Sequence, residues 1–197
     1  MSKKIFLSFV ILFLITGLLK SQDKTVKSIM SKNYDPKTNL VVWPDEFNPE
    51  KAKWYVYNEI EIHAQPEVVW NILIDAKKWH TFYDGVQSPV EFLDPNATTL
   101  RNGLAFKMHT MGLRLEPVMK EFVPNERMAW EVRRGNLTAY HAWVIAPTAN
   151  GCRLITPEAQ NGFLTFLQKV FQPNKLLKLH DKWLRLIKER AEGTTPK

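Results

Sequence analysis

The sequence predicts an α+β fold, a seven-stranded curled antiparallel sheet wrapped around a long C-terminal helix, with two short helices after the first strand. Three observations predict it. An alternating, strand-like run over residues 54–63 ends at a proline-started helix. Six further short apolar runs follow, separated by turn-forming residues, and consecutive short turns make neighbouring strands antiparallel. The chain then passes through Gly162 into one amphipathic stretch, residues 163–191.

The first strand places Tyr55, Tyr57, Glu59, Glu61 and His63 on one side and Trp54, Val56, Ile60 and Ile62 on the other. Pro66 opens a helix, because the first helical position has no use for the amide that proline lacks, and Glu67 suits the positive end of the helix dipole. Val69, Trp70, Leu73 and Ile74 form its apolar stripe. Asp75 begins a second short helical or turn segment with Trp79, Phe82 and Tyr83, which Gly85 ends. The remaining strands are expected over residues 88–93, 104–110, 113–123, 127–133, 138–145 and 152–158, joined by turn formers such as Asp94-Pro95-Asn96, Gly135-Asn136 and Asn150-Gly151. In the last stretch Phe163, Phe166, Leu167, Val170, Phe171, Leu177, Leu184 and Ile187 recur every three or four residues and are expected to form one buried face. Pro173 removes a helical hydrogen bond, so a kink or break is expected near Gln172.

Length and charge bound the rest. A chain of 197 residues, 45% of them apolar, suits one well-buried domain. Residues 1–22 read as a signal peptide or N-terminal membrane anchor. Lys3 and Lys4 precede an apolar run, residues 5–19, that is shorter than the roughly 20 residues of a membrane span. Cleavage is expected after Ser21, although Leu19 is large for the position three before the cut, and an uncleaved anchor is the alternative. Either way the domain is expected outside the cytoplasm, periplasmic, secreted or anchored by residues 5–19. Residues 23–53 form an extended lead-in, since Asp35-Pro36, Trp43-Pro44 and Asn48-Pro49 each disfavour helix before the proline. Its one apolar cluster, residues 40–43, is expected to pack as an edge strand or to lie across the domain surface.

The lone Cys152 excludes an intrachain disulfide. The formal charge is +7, and loss of Lys3, Lys4 and Lys20 would leave 24 basic against 20 acidic residues. So mild an excess, on an exported domain, excludes nucleic acid as the expected partner. The basic residues gather in Lys169, Lys175, Lys178, Lys182, Arg185, Lys188 and Arg190, a solvated helix face or else a membrane-surface patch.

Several local patterns, in order, carry a resemblance. Ile60-Glu61-Ile62-His63-Ala64-Gln65-Pro66-Glu67-Val68-Val69-Trp70 is followed by Asp75 and Trp79, then by Glu121-Phe122-Val123-Pro124 before Arg127-Met128. His141, Pro147, Gly151-Cys152-Arg153-Leu154, Glu158 and Gly162 complete the series. Over residues 54–192 the chain resembles the START-like helix-grip superfamily (SRPBCC) in its polyketide cyclase/dehydrase-like branch. The resemblance implies a sheet gripping the last helix around a hydrophobic cavity for a lipid, sterol or polyketide-like molecule. It does not fix the chemistry, because members include carriers as well as enzymes.

Strand alternation puts Leu104, Phe106 and Met108 on one inner face, Met128, Trp130 and Val132 on another, and Ala139, His141, Trp143 and Ile145 on a third. With Trp79, Phe82, Tyr83, Phe163 and Phe166 these give the expected aromatic lining; a filled core is the competing reading. His141 and Glu158 are its polar points. A turn centred near Thr148 and Ala149 would set His141 opposite Thr156 and leave Glu158 one diagonal step away on the same face. His63, His80, His109 and His180 show no metal-ligand spacing, and there is no phosphate loop or nucleophile elbow, so neither metal nor cofactor is expected. The expected function is an exported binder or carrier of a hydrophobic small molecule in a central cavity. The alternative is a cyclase- or dehydratase-like enzyme with His141 as base and Glu158 as acid or orienter.

Overall fold

The computed structural model describes residues 40–193, so the expected signal or anchor and most of the lead-in lie outside the described residues. Among the described residues no helix is long and apolar enough to cross a membrane.

A five-stranded antiparallel sheet has the order β1-β8-β7-β6-β5, with β1 Trp54–Ile62, β5 Val118–Val123, β6 Arg127–Arg134, β7 Leu137–Thr148 and β8 Gly151–Asn161. A three-stranded sheet contains β2 Glu91–Phe92, β3 Phe106–Thr110 and β4 Leu113–Leu115 in that order. Helix α1, Pro66–Ile74, and a 3-10 helix, Ala76–Thr81, follow β1, while α2, Phe163–Phe171, and α3, Lys175–Ala191, close the chain. The fold is thus α+β with a curled antiparallel sheet and a C-terminal helix. The expected seven strands become eight because Pro117 cannot donate to a ladder and divides residues 113–123 into β4 and β5. The carbonyl of Pro117 still accepts from the Phe106 amide at 3.0 Å, and Met119 donates to Leu104 at 2.9 Å, so the two sheets are stitched along this seam.

β7 and β8 form the longest hairpin, turning tightly at Ala149-Asn150. Gly151 fits there because a Cβ would lie 2.2 Å from the Ile62 carbonyl oxygen. The turn sits one residue later than expected, so His141 pairs directly with Glu158 rather than with Thr156. A shift of two partners keeps every side chain on its expected face.

The last helix departs further from expectation. Gln172–Asn174 are non-helical, so α2 and α3 are separate helices. The phase set by Phe163 does not carry across the break. α3 buries Leu176, His180, Trp183, Leu184 and Ile187, while Leu177 is only half-buried. On α2 only Thr165 is buried, and Phe163, Leu164, Phe166, Val170 and Phe171 face solvent.

The inner core joins α1, the 3-10 helix and α3 to the concave face of the sheets, through Leu73, Trp79, Phe106, Trp143, Leu184 and Ile187 among others. Residues 40–53 of the lead-in cover the opposite face of the large sheet, where Val41 and Phe47 pack with Tyr57, Tyr140, Val144 and Ile155. The Phe47 ring stacks on Tyr140 at 5.6 Å and is fully buried. The described part of the lead-in is therefore an integral layer. Phe47→Ala is expected to cost about 3 kcal/mol, as for other buried large-to-small changes. Urea unfolding would measure this, and a loss below about 0.5 kcal/mol would mean the segment is a loose cover.

Candidate functional site

Between the inner face of β6–β8, the β3–β4 hairpin and α2–α3 lies a cavity of about 270 Å³, walled chiefly by apolar side chains. Leu164, Gln168, Gln172 and Lys175 line its mouth, where α2 gives way to α3. Buried Trp130, His141, Glu158, His180 and Trp183 mark its inner end. A wall of this kind removes an apolar molecule from water while a few polar groups orient it.

Of the expected lining residues, Tyr83, Met108, Trp130, His141 and Glu158 reach the cavity wall. Trp79, Phe106 and Trp143 are fully buried and pack behind that wall instead. Trp79 meets Trp183 at 5.1 Å and Trp130 at 5.8 Å, and Trp143 meets Trp183 at 5.0 Å, so much of the sheet's concavity is filled by indoles. Phe82 lies outside it, with Arg190 over its ring at 5.1 Å. Phe163 and Phe166 are exposed because they ride on the outward side of α2. The filled-core reading thus applies to Trp79, Phe106 and Trp143, the cavity reading to Tyr83 and Trp130, and neither to Phe82, Phe163 and Phe166.

The polar end is a cluster of three residues from three elements. β7 and β8 bring His141 and Glu158 opposite each other, with His141 Nδ1 3.5 Å from Glu158 Oε2. α3 adds His180, whose Nε2 is 3.1 Å from the same oxygen. His141 Nε2 pairs with the Thr156 hydroxyl at 2.7 Å, and the Gln160 amide donates to Glu158 Oε1 at 2.5 Å. The two imidazoles stack, 4.7 Å between centroids and 13° between planes. The ligating atoms of His141, Glu158 and His180 all lie within 4.8 Å of one another.

His180 was missed in the sequence because it has no ligand spacing there and because the phase of the helix was taken from α2. Read from Lys175 onward, Leu176, His180, Trp183 and Ile187 fall on one stripe, which is the signal that finds it.

Burial, the largest influence on His141, pulls its imidazole down to about 3 against the attraction of the Glu158 charge, and His180 adds to the depression. Burial alone would raise the Glu158 carboxyl, but the His180 hydrogen bond, the charges of the two imidazoles and the Gln160 amide together hold it below its ordinary value. The result is a neutral imidazole beside an ionised carboxylate at the wall of an apolar cavity. Such a pair can accept and return a proton on a bound molecule.

The sequence matches, over residues 53–192, the family described as polyketide cyclase / dehydrase and lipid transport. The chain belongs to that family. Among solved structures, a hypothetical protein from Helicobacter pylori is 25% identical with a TM-score of 0.72, covering 80% of this chain and 99% of its own. The di-domain ARO/CYC StfQ from the steffimycin biosynthetic pathway is 16% identical at a TM-score of 0.59, over 71% of this chain and 50% of StfQ. The di-domain ARO/CYC BexL from the BE-7585A biosynthetic pathway is 18% identical at 0.57, with 71% and 50% covered. These two likenesses show the shared helix-grip fold. No curated protein matches the chain.

In this family member the buried polar cluster makes stability depend on pH. The folded protein keeps His141 unprotonated down to about pH 3, whereas the unfolded chain takes up that proton near its ordinary value of 6.5. Stability is therefore full above that value and falls as the pH drops below it, by up to about 1.4 kcal/mol per pH unit. The depressed Glu158 adds a further loss once the pH falls below its ordinary 4.5. Urea midpoints at pH 7 and pH 5 would show the slope, and His141→Gln is expected to flatten it; equal wild-type midpoints would contradict the assignment.

Proposed function

We propose that the protein binds and carries a hydrophobic small molecule in this cavity, outside the cytoplasm, and exchanges it at the mouth beside α2. The observation that carries the reading is the apolar cavity with a polar end. Its volume, about 270 Å³, falls just below the roughly 300–1,000 Å³ of ligand sites and favours a compact molecule, or one whose tail projects from the mouth. Two residues of its wall, His180 and Trp183, keep a buried ring nitrogen without a hydrogen-bond partner among the described residues. A ligand with one polar group at its inner end would meet them, and its apolar body would fill the remainder.

A second reading, acid/base catalysis on the bound molecule with His141 as base and Glu158 as orienter, is favoured by the placement of this pair, 3.5 Å apart, at the cavity wall. The cavity is needed for both.

Ala139 lines the cavity, and a larger side chain there would occupy it from the sheet side. Ala139→Phe is expected to abolish co-purification of a hydrophobic molecule, read by native mass spectrometry of protein from its own host, while changing the melting temperature by only a few degrees. Wild-type protein that emerges empty, and a variant indistinguishable from it, would sink the carrier reading.

The surface around the mouth supports a membrane as the place of exchange. Phe163, Leu164, Phe166, Val170 and Phe171 expose a continuous apolar helix face, with Lys169, Lys175 and Lys178 exposed around it. Apolar side chains on one face and lysines at its border suit an anionic bilayer surface. Phe166→Asp with Phe171→Asp is expected to release the protein from phosphatidylglycerol vesicles without unfolding it. Equal sedimentation of the wild type with neutral and anionic vesicles, at low and high salt, would argue against the charge contribution.

A further inference from the structure

Glu158 is a buried carboxylate whose ion-pair contacts among the described residues are His141 and His180, with no lysine or arginine among them. A buried charge is tolerated when it is paired or coordinates a cation. The geometry around Glu158 Oε2 favours the cation. Two donors each about 2.1 Å from a tetrahedral ion sit about 3.4 Å apart. The distances to Oε2 are 3.5 Å from His141 Nδ1 and 3.1 Å from His180 Nε2. The first is long for a hydrogen bond and suits two ligands sharing one ion.

The surroundings are those of a ligand set. Thr156 holds the far nitrogen of His141, and Gln160 holds the far oxygen of Glu158. Outer hydrogen bonds of this kind fix the orientation of metal ligands. If His141 donates its Nε2 proton to Thr156, its Nδ1 turns a lone pair toward a carboxylate oxygen, a repulsion that a cation relieves.

We propose that His141, Glu158 and His180 bind a divalent first-row transition ion such as Zn²⁺, through His141 Nδ1, Glu158 Oε2 and His180 Nε2, at the inner end of the cavity. Two imidazoles and one carboxylate suit such an ion better than Ca²⁺ or Mg²⁺, which prefer oxygen. Three protein ligands leave a position open on the cavity side, where an oxygen of water or of the bound molecule completes the set. The nearly parallel rings must tilt for both nitrogens to point at one ion. His180 can do so at no loss at its other nitrogen, because Nδ1 has no hydrogen-bond partner among the described residues.

The test uses the full chain, stripped with a chelator, titrated with Zn²⁺ by calorimetry and with Co²⁺ by visible absorption. One equivalent is expected to bind, with the intense visible band of four-coordinate Co²⁺. Glu158→Gln and His180→Ala are expected to weaken binding by about 100-fold or more, beyond the loss typical of outer-shell changes. His63→Ala, which removes an exposed imidazole, is expected to leave it unchanged. Should the cavity variants fail to fold, X-ray absorption of Zn²⁺-loaded wild type gives the answer directly, with two imidazoles per ion expected. No saturable binding, binding lost on His63→Ala, or fewer than two imidazoles would overturn the proposal. A protein that carries a hydrophobic molecule yet binds no Zn²⁺ would overturn this site and leave the carrier reading standing.

Discussion

The β7–β8 hairpin is the constraint on which the rest of the structure depends. Its ladder joins the central strand of the large sheet to its neighbour β8, and the turn at Ala149-Asn150 sets which side chains meet across it. Because strand side chains alternate with a period of two, that turn decides that His141 and Glu158 share the concave face while Tyr140 and Ala159 share the convex one. A slip of β8 by one residue would turn the Glu158 carboxylate under the lead-in and Ala159 toward the cavity. Gly151 protects the register, since any side chain there would collide with the backbone after β1.

The same hairpin explains why the cavity is small and off-centre. Trp130 and Trp143 flank His141 on the concave face, and α3 answers with Trp183, which Tyr83 stacks against at 4.6 Å. Indoles this large consume most of the space that a curled sheet encloses, leaving a void where β4 is short and α2 buries only Thr165. His141 loses its proton to the same packing, because burial leaves a charge there poorly solvated.

The fold was legible because its signals are periodic and local: alternation in β1, β6, β7 and β8, a proline at the start of α1, and turn formers between strands. The strand half of the site was legible for the same reason, since His141 and Glu158 fall on faces that alternation assigns. His180 was not. Its face depends on helical phase, and Pro173 breaks the phase between α2 and α3, so counting from Phe163 selected Leu177 in place of Leu176 and His180. Phe163 and Phe166 failed in the opposite direction. Periodicity shows that an apolar face exists but is silent on whether protein or something else covers it. The indoles of Trp79 and Trp143 mark a third limit, because alternation tells inward from outward and carries no information on whether the inward space is filled.

The break at Pro173 ties these points together. A continuous helix from Phe163 to Ala191 would have to carry one face, and the stripe of α3 that seats His180 beside Glu158 would then be extended by residues of α2 facing the sheet. The interruption frees α2 to present Gln168 and Leu164 to the cavity mouth while turning its phenylalanines outward. Of the three α-helices, α2 has the least buried side-chain anchoring, Thr165 alone, whose hydroxyl reaches back to the Asn161 carbonyl at 2.9 Å. An element with few buried contacts opens at low cost in free energy compared with one packed like α3. The proline thus separates two requirements that a single helix could not meet, a rigid seat for the polar cluster and a weakly held cover over the mouth.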